Sequence, residues 1–166
     1  MTKEDISDII VMHSNSYNCL SMLMNICCQE RRIEKVEDFA ELLGENYSTC
    51  DNLYNDRWLV RIAFTYASLC KEKLMTTEEL EILKNLPDKV KIYRGMTVEE
   101  STKEHQGVSW TLDKKVAEFF AYQYIRNPST ADKPKTVVEK VIDKSVDIVY
   151  YNDKSNDYCY LEIKRN

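Results

Sequence analysis

Glycine and proline are scarce in this chain of 166 residues, with only three of each, and no repeat or low-complexity tract marks it as fibrous or disordered. No apolar run approaches the roughly 18 to 20 residues that cross a bilayer. The amino end, MTKEDISDII, has acids where a signal peptide has a basic region. The expected setting is therefore the cytoplasm, with no membrane association. CxxC spacing is also missing. The six cysteines, Cys19, Cys27, Cys28, Cys50, Cys70 and Cys159, fall mostly among apolar residues on expected helices and read as reduced, small hydrophobic side chains. Only His13 and His105 could add imidazole, and neither lies near a cysteine pair, so no metal site is expected. Basic charge is not in surplus: the net charge of -5 argues against general nucleic-acid binding and against an anionic-membrane surface. Any anionic ligand must be held by local groups against the overall field.

What is present describes an ordinary globular chain, 43% hydrophobic and 31% charged, long enough to bury one core. The first half reads as helices. Ile6, Ile9, Ile10, His13, Tyr17, Leu20, Leu23, Met24 and Cys27 recur at three- and four-residue spacing, as on one face of a long helix. Val36, Phe39, Ala40 and Leu43 mark a second helix, stopped at Gly44 by a left-handed cap. Tyr54, Trp58, Leu59, Ile62, Tyr66 and Leu69 mark a third, with its aromatic stripe turned to the core. A fourth begins at a capping box, Thr76 with Glu79, and ends at Pro87. There the period changes to alternation. Val90 and Ile92 alternate with Lys89, Lys91 and Tyr93, giving a strand that leads into Arg94 and Gly95. Gly107 to Thr111 reads as a second strand, with Trp110 facing the core. Asp113 caps a helix carrying Val116, Ala117, Phe120, Ala121 and Tyr124. TVVEKVI, VDIVYY and YCYLEI are strand-like, the last two pairing across the polar turn NDKSND. The whole is one α+β domain, helices first and sheet last.

Three strings of the second half stand out in their order: Tyr93-Arg94-Gly95, then Gly107-Val108-Ser109-Trp110-Thr111 with Asp113 and EFFA behind it, then a last strand bearing Glu162. The series resembles the mono-ADP-ribosyltransferase family in its arginine, serine, glutamate class, over about residues 88 to 166. The resemblance implies a fold with a helical amino-terminal half (residues 1–86) packed on a small mixed or antiparallel sheet (residues 87–166). It also implies NAD as substrate and transfer of ADP-ribose to a macromolecule.

The residue types suit that chemistry. Breaking the bond from ribose to nicotinamide develops oxocarbenium-like charge, so the site must hold a diphosphate and stabilise a cation in the transition state. Arg94 offers a planar, permanently charged fork for phosphate oxygens, and Gly95 lets a ligand approach the backbone. The resemblance assigns Gly95 to the nicotinamide carboxamide and Glu162 to the nicotinamide-ribose 2′-hydroxyl. It makes Ser109 an orienting group for Glu162 or the ribose, with Thr111 supporting the strand-to-helix turn. Tyr93 and Phe119 complete the expected NAD-binding set. Phe119 and Phe120 are adjacent on a helix, so only one can point fully inward.

The third motif departs from the family pattern. Arginine-directed members carry a glutamate two residues before the catalytic one, where this chain has Tyr160, on the same strand face as Glu162 by spacing. A tyrosine cannot activate a guanidinium, which makes the expected acceptor a side chain other than arginine and gives Tyr160 the acceptor-recognition role. Asp157 is an alternative acid, at an odd offset from Glu162. The resemblance further suggests a toxin or phage effector whose partner is a host protein, including one of host defence, with residues 1–86 as docking surface or scaffold. An NAD glycohydrolase and a non-catalytic binding module with the same fold are the other readings.

Overall fold

The computed structural model describes residues 1–29, 33–50, 56–104, 106–124, 130–152 and 157–160, divided into two units, Met1–Glu81 and Ile82–Asn166. The first unit is helical. Helix α1 (Lys3–His13) begins at a capping box between Thr2 and Asp5. The single long helix expected from Ile6 to Cys27 is broken after His13. Asn15 Oδ1 accepts from the Tyr17 and Asn18 N–H groups, and Asn18 Oδ1 accepts from the Asn15 N–H. These side-chain acceptors satisfy backbone donors in a turn, in competition with the helix. Helix α2 (Cys19–Met24) starts beyond it and passes into a π-helical turn, Asn25–Gln29. His13 and Tyr17 are consequently exposed, not on a core face.

Helix α3 (Val36–Tyr47) runs through Gly44 instead of stopping there. A Cβ at Gly44 would run into the Leu74 carbonyl, whose carbon is 2.8 Å away. The glycine therefore allows close packing of α3 on the chain at Leu74. Helix α3 packs against α1, α2, α4 (Arg57–Ala67) and the 3-10 segment Ser68–Lys73. Its Phe39, Ala40, Leu42 and Leu43 are fully buried, and Tyr47 meets Phe64 edge-on at 4.7 Å. On α4 the buried face is Val60, Ala63, Phe64 and Ala67, while Trp58 and Leu69 of the expected core stripe are 69% and 72% exposed. Arg57, Arg61 and Thr65 lie among the large apolar side chains of the outer face, whereas the buried face is apolar throughout, two of its residues being small alanines. Helix α5 (Thr77–Asn85) begins at the expected capping box: Thr76 Oγ1 accepts from the Glu79 N–H at 3.2 Å and Glu79 Oε2 from the Thr76 N–H at 2.8 Å.

The second unit carries β1 (Lys89–Thr97), α6 (Val98–Ser101), β2 (Ser109–Thr111), α7 (Lys114–Tyr122), β3 (Lys135–Asp143), α8 (Lys144–Asp147), β4 (Ile148–Asn152) and β5 (Asp157–Tyr160). The strands form a five-stranded sheet in the order β3-β1-β2-β5-β4, antiparallel at every neighbouring pair. Strands β4 and β5 pair from Asn152↔Asp157 to Ile148↔Tyr160 with one irregularity, as the sequence reading expected.

Strand β1 is longer than the local alternation suggested, so Arg94 and Gly95 lie within it and not at its end. It pairs with β3 in unbroken register from Lys89↔Asp143 to Thr97↔Lys135. Unbroken register keeps the two-residue alternation of faces. Val90, Ile92, Arg94 and Met96 share one face; Lys89, Lys91, Tyr93 and Gly95 share the other. Helix α7 packs over β1 on the Gly95 side through Ala117 and Ala121. A Cβ on Gly95 would lie 2.7 Å from the Ala121 nitrogen and run into the Ala117 carbonyl oxygen.

Candidate functional site

Arg94 shares its strand face with the buried Val90, Ile92 and Met96, and an unpaired charge in such a row would be costly. Its Nη1 donates to the Ser109 carbonyl at 2.6 Å, and its Nη2 donates to Glu100 Oε1 at 3.2 Å. The pair is partly sequestered, with side chains 21% and 16% exposed for Arg94 and Glu100. The same Glu100 oxygen accepts from the Gly107 N–H at 3.0 Å. A Cβ on Gly107 would lie 2.6 Å from Arg94 Cζ, so a larger residue there would push the guanidinium from its present place. Trp110 closes the cluster, its Nε1 donating to the Gly107 carbonyl at 2.9 Å. Lys140 Nζ stands 5.2 Å from the Trp110 ring centre, within cation–π range. Arg94 Nε and Gln106 Oε1 are buried without a hydrogen-bond partner among the described residues. Buried polar atoms of this kind are normally satisfied by ordered water or a ligand.

The other sequence-selected residues fall in distinct places. Tyr93 opposes Thr111 across β1 and β2, and Ser109 shares the Thr111 face by the two-residue period. The Ser109 and Arg94 side chains therefore leave the sheet on opposite faces, and the bond between the two residues uses the Ser109 backbone. Thr111 Oγ1 accepts from the Asp113 N–H at 3.2 Å, and Asp113 caps α7 by accepting from the Lys115 N–H at 2.8 Å. Gly95 is filled in by α7, which accounts for its lack of a side chain by packing. Neither Phe119 nor Phe120 points inward. They are 43% and 41% exposed and cluster with Tyr124, at 5.9 and 5.6 Å between ring centres. The face of α7 that packs belongs instead to Ala117 and Ala121. Trp110 is buried, as expected. In β5, Asp157 opposes Thr111, Cys159 opposes Ser109 and Tyr160 opposes Ile148. Glu162 lies outside the described residues.

The sequence reading missed Glu100 and the role of Gly107. The signal was present: Thr97-Val98-Glu99-Glu100 has capping-box spacing immediately after a strand. Thr97 Oγ1 does accept from the Glu100 N–H at 3.0 Å, but the Glu100 carboxylate turns to Arg94 and Gly107. Helix α6 is tied down on its outer side as well. Val98 N–H donates to the Pro134 carbonyl at 2.9 Å. Lys133 and Lys103 both bond the Glu99 carboxylate, at 2.9 Å each, and hold it down to about 2.

In the helical unit, a cleft of about 600 Å³ is lined by Met24, Cys27, Cys28, Phe39, Ile62 and Tyr66, together with Ile33 and Glu34. Among the described residues, these walls bear no cation that could match a diphosphate. Among the described residues, no group of three or more His, Cys, Asp or Glu side chains is arranged to hold a metal ion, and no helix is long and apolar enough to cross a membrane. No family model, characterised protein or solved structure matches the chain.

Proposed function

We propose that this protein is a mono-ADP-ribosyltransferase that moves ADP-ribose from NAD to a protein side chain other than arginine. The observation that carries the reading is the strand order. Strand β1 with Arg94, β2 with Ser109 and Thr111, and β5, which precedes Glu162, are consecutive neighbours in the sheet despite their separation along the chain. Adjacent strands bring the three motifs together in one sheet, where the Ser109 backbone carbonyl, not its side chain, meets Arg94. In the reaction the ribose–nicotinamide bond breaks with its electron pair leaving on nicotinamide. The acceptor then bonds to the anomeric carbon and gives up a proton. Arg94 anchors the diphosphate, and Glu162 holds the ribose 2′-hydroxyl as positive charge develops. Tyr160, where arginine-directed relatives carry glutamate, shapes the acceptor side. The same resemblance makes a host protein, including one of host defence, the favoured target.

The test is incubation with NAD labelled in its adenylate part, with and without cell extract. Extract-dependent labelling of a protein is expected, with nicotinamide release reduced roughly 100-fold or more in Glu162→Gln, as for loss of one preorganised electrostatic group. Equal release without extract would make the protein an NAD glycohydrolase. Absence of both labelling and release would leave a binding module, and modified arginines in the product would overturn the acceptor assignment.

A further inference from the structure

We infer that Glu100 is the positioning residue for Arg94, a role that rests on the proposed NAD chemistry and adds a fourth residue to its three motifs. A long arginine side chain has many rotamers to lose, and its fork is most useful when its plane is fixed before the ligand arrives. Here the plane is fixed from three sides. Glu100 Oε1 takes Nη2, the Ser109 carbonyl takes Nη1, and Gly107 lies against the guanidinium carbon, its amide held by the same Glu100 oxygen. Glu100 thus links the two elements on either side of the fork: the strand that carries it and the loop that covers it. The carboxylate is itself well located. Its backbone N–H is capped by Thr97 of the same strand, and its short helix is pinned through Val98 to Pro134 and through Glu99 to Lys133.

Arg94 Nε is buried beneath Gly107 without a hydrogen-bond partner among the described residues. Glu100 and the Ser109 carbonyl engage one hydrogen each on Nη2 and Nη1, so they do not take every donor of a group that has five. A carboxylate that orients the fork helps ground-state and transition-state NAD equally, because the diphosphate is remote from the bond that breaks. Its loss therefore raises KM and leaves kcat nearly alone. A carboxylate that merely competed with phosphate for Arg94 would have the opposite sign, and its loss would lower KM.

The experiment measures NAD affinity by calorimetry and nicotinamide release by steady-state kinetics, on the full chain. The variants are Glu100→Ala, Glu100→Gln, Arg94→Lys and the double variant Arg94→Lys/Glu100→Ala. The expected result is a KM at least about tenfold higher in Glu100→Ala, with kcat within about threefold. Glu100→Gln, which keeps an acceptor for the Gly107 amide, should recover part of the loss. The double variant should bind NAD no more weakly than Arg94→Lys alone, because Glu100 acts through Arg94. If Glu100→Ala does not fold, the isosteric glutamine variant decides, with a rise of a few-fold in KM expected. A KM that is unchanged or lower in the folded Glu100 variants overturns the role, as does a multiplicative loss in the double variant. Wild-type protein that neither binds nor cleaves NAD overturns the transferase reading itself, and this role with it.

Discussion

Arg94→Lys separates the two tasks of the arginine. Lysine keeps one charge but cannot reach both the Ser109 carbonyl and Glu100 with the same fork. As a strand-end surface charge, which the sequence suggested, the residue would tolerate the change with less than about 1 kcal/mol lost. Within β1, beside buried Ile92 and Met96 and paired with Glu100, it should not. A loss of about 1–3 kcal/mol is expected from the broken hydrogen bonds and the partly stranded carboxylate, together with weaker NAD binding. Urea denaturation of the lysine variant reads the first effect and calorimetry with NAD the second. Wild-type stability would return Arg94 to the surface class. Gly107 belongs to the same cluster, because its missing Cβ makes the space that the guanidinium plane uses.

Among the elements, the junction of β3 with α8 offers a pH test. Asp143 ends β3 and caps α8, accepting from the Ser145 hydroxyl at 2.7 Å and its N–H at 3.1 Å, while Lys89 at the start of β1 bonds it at 3.3 Å. The Ser145 bonds and Lys89 together lower the carboxyl from 3.8 to about 2. A folded pKa below the unfolded one adds stability that is fully present above about 4 and is lost as pH falls through about 2. Asp143→Asn keeps an oxygen for the cap and removes the charge. The variant should therefore be less stable than wild type at neutral pH, and the gap should close between about pH 4 and pH 2. Urea midpoints across that range check it, and a gap independent of pH would mean that the charge contributes nothing. Helix α7 carries a different lesson, since its two phenylalanines face out and its two alanines pack. A small-residue face lets the helix axis come close to the sheet at Gly95, which a phenylalanine face would prevent.

For the molecule as a whole, each unit holds one tryptophan in a different environment. Trp58 in the helical unit is 69% exposed, whereas Trp110 in the sheet unit is 1% exposed and donates its N–H to Gly107. The Trp58→Phe protein, left with Trp110, should emit at short wavelength and resist acrylamide. The Trp110→Phe protein, left with Trp58, should emit at long wavelength and be quenched readily. Equal quenching of the two would contradict the burial of Trp110 or the exposure of Trp58. The two single-tryptophan proteins also report on unfolding of each unit separately, which matters because a chain with two clusters of contacts need not unfold in one step.

Much of this architecture is written in short-range patterns. The change from helical to alternating period at Pro87, the capping box at Thr76 and Glu79, the cap at Asp113 and the hairpin between β4 and β5 each depend on residues a few positions apart, where backbone geometry leaves few options. The same period of two already put Arg94 in line with Val90 and Ile92, though the Arg-Gly pair read as a strand end. Other features depend on partners distant in the chain. Gly44 is explained by Leu74, and Gly95 by Ala117 and Ala121. The Arg94–Glu100–Gly107 cluster spans only 14 positions, but it forms because β2 returns beside β1 and brings the loop down on the guanidinium. Spacing determines which face a residue occupies; what that face meets is settled by packing, because burial free energy depends on the neighbour that removes the water, and no local pattern names that neighbour.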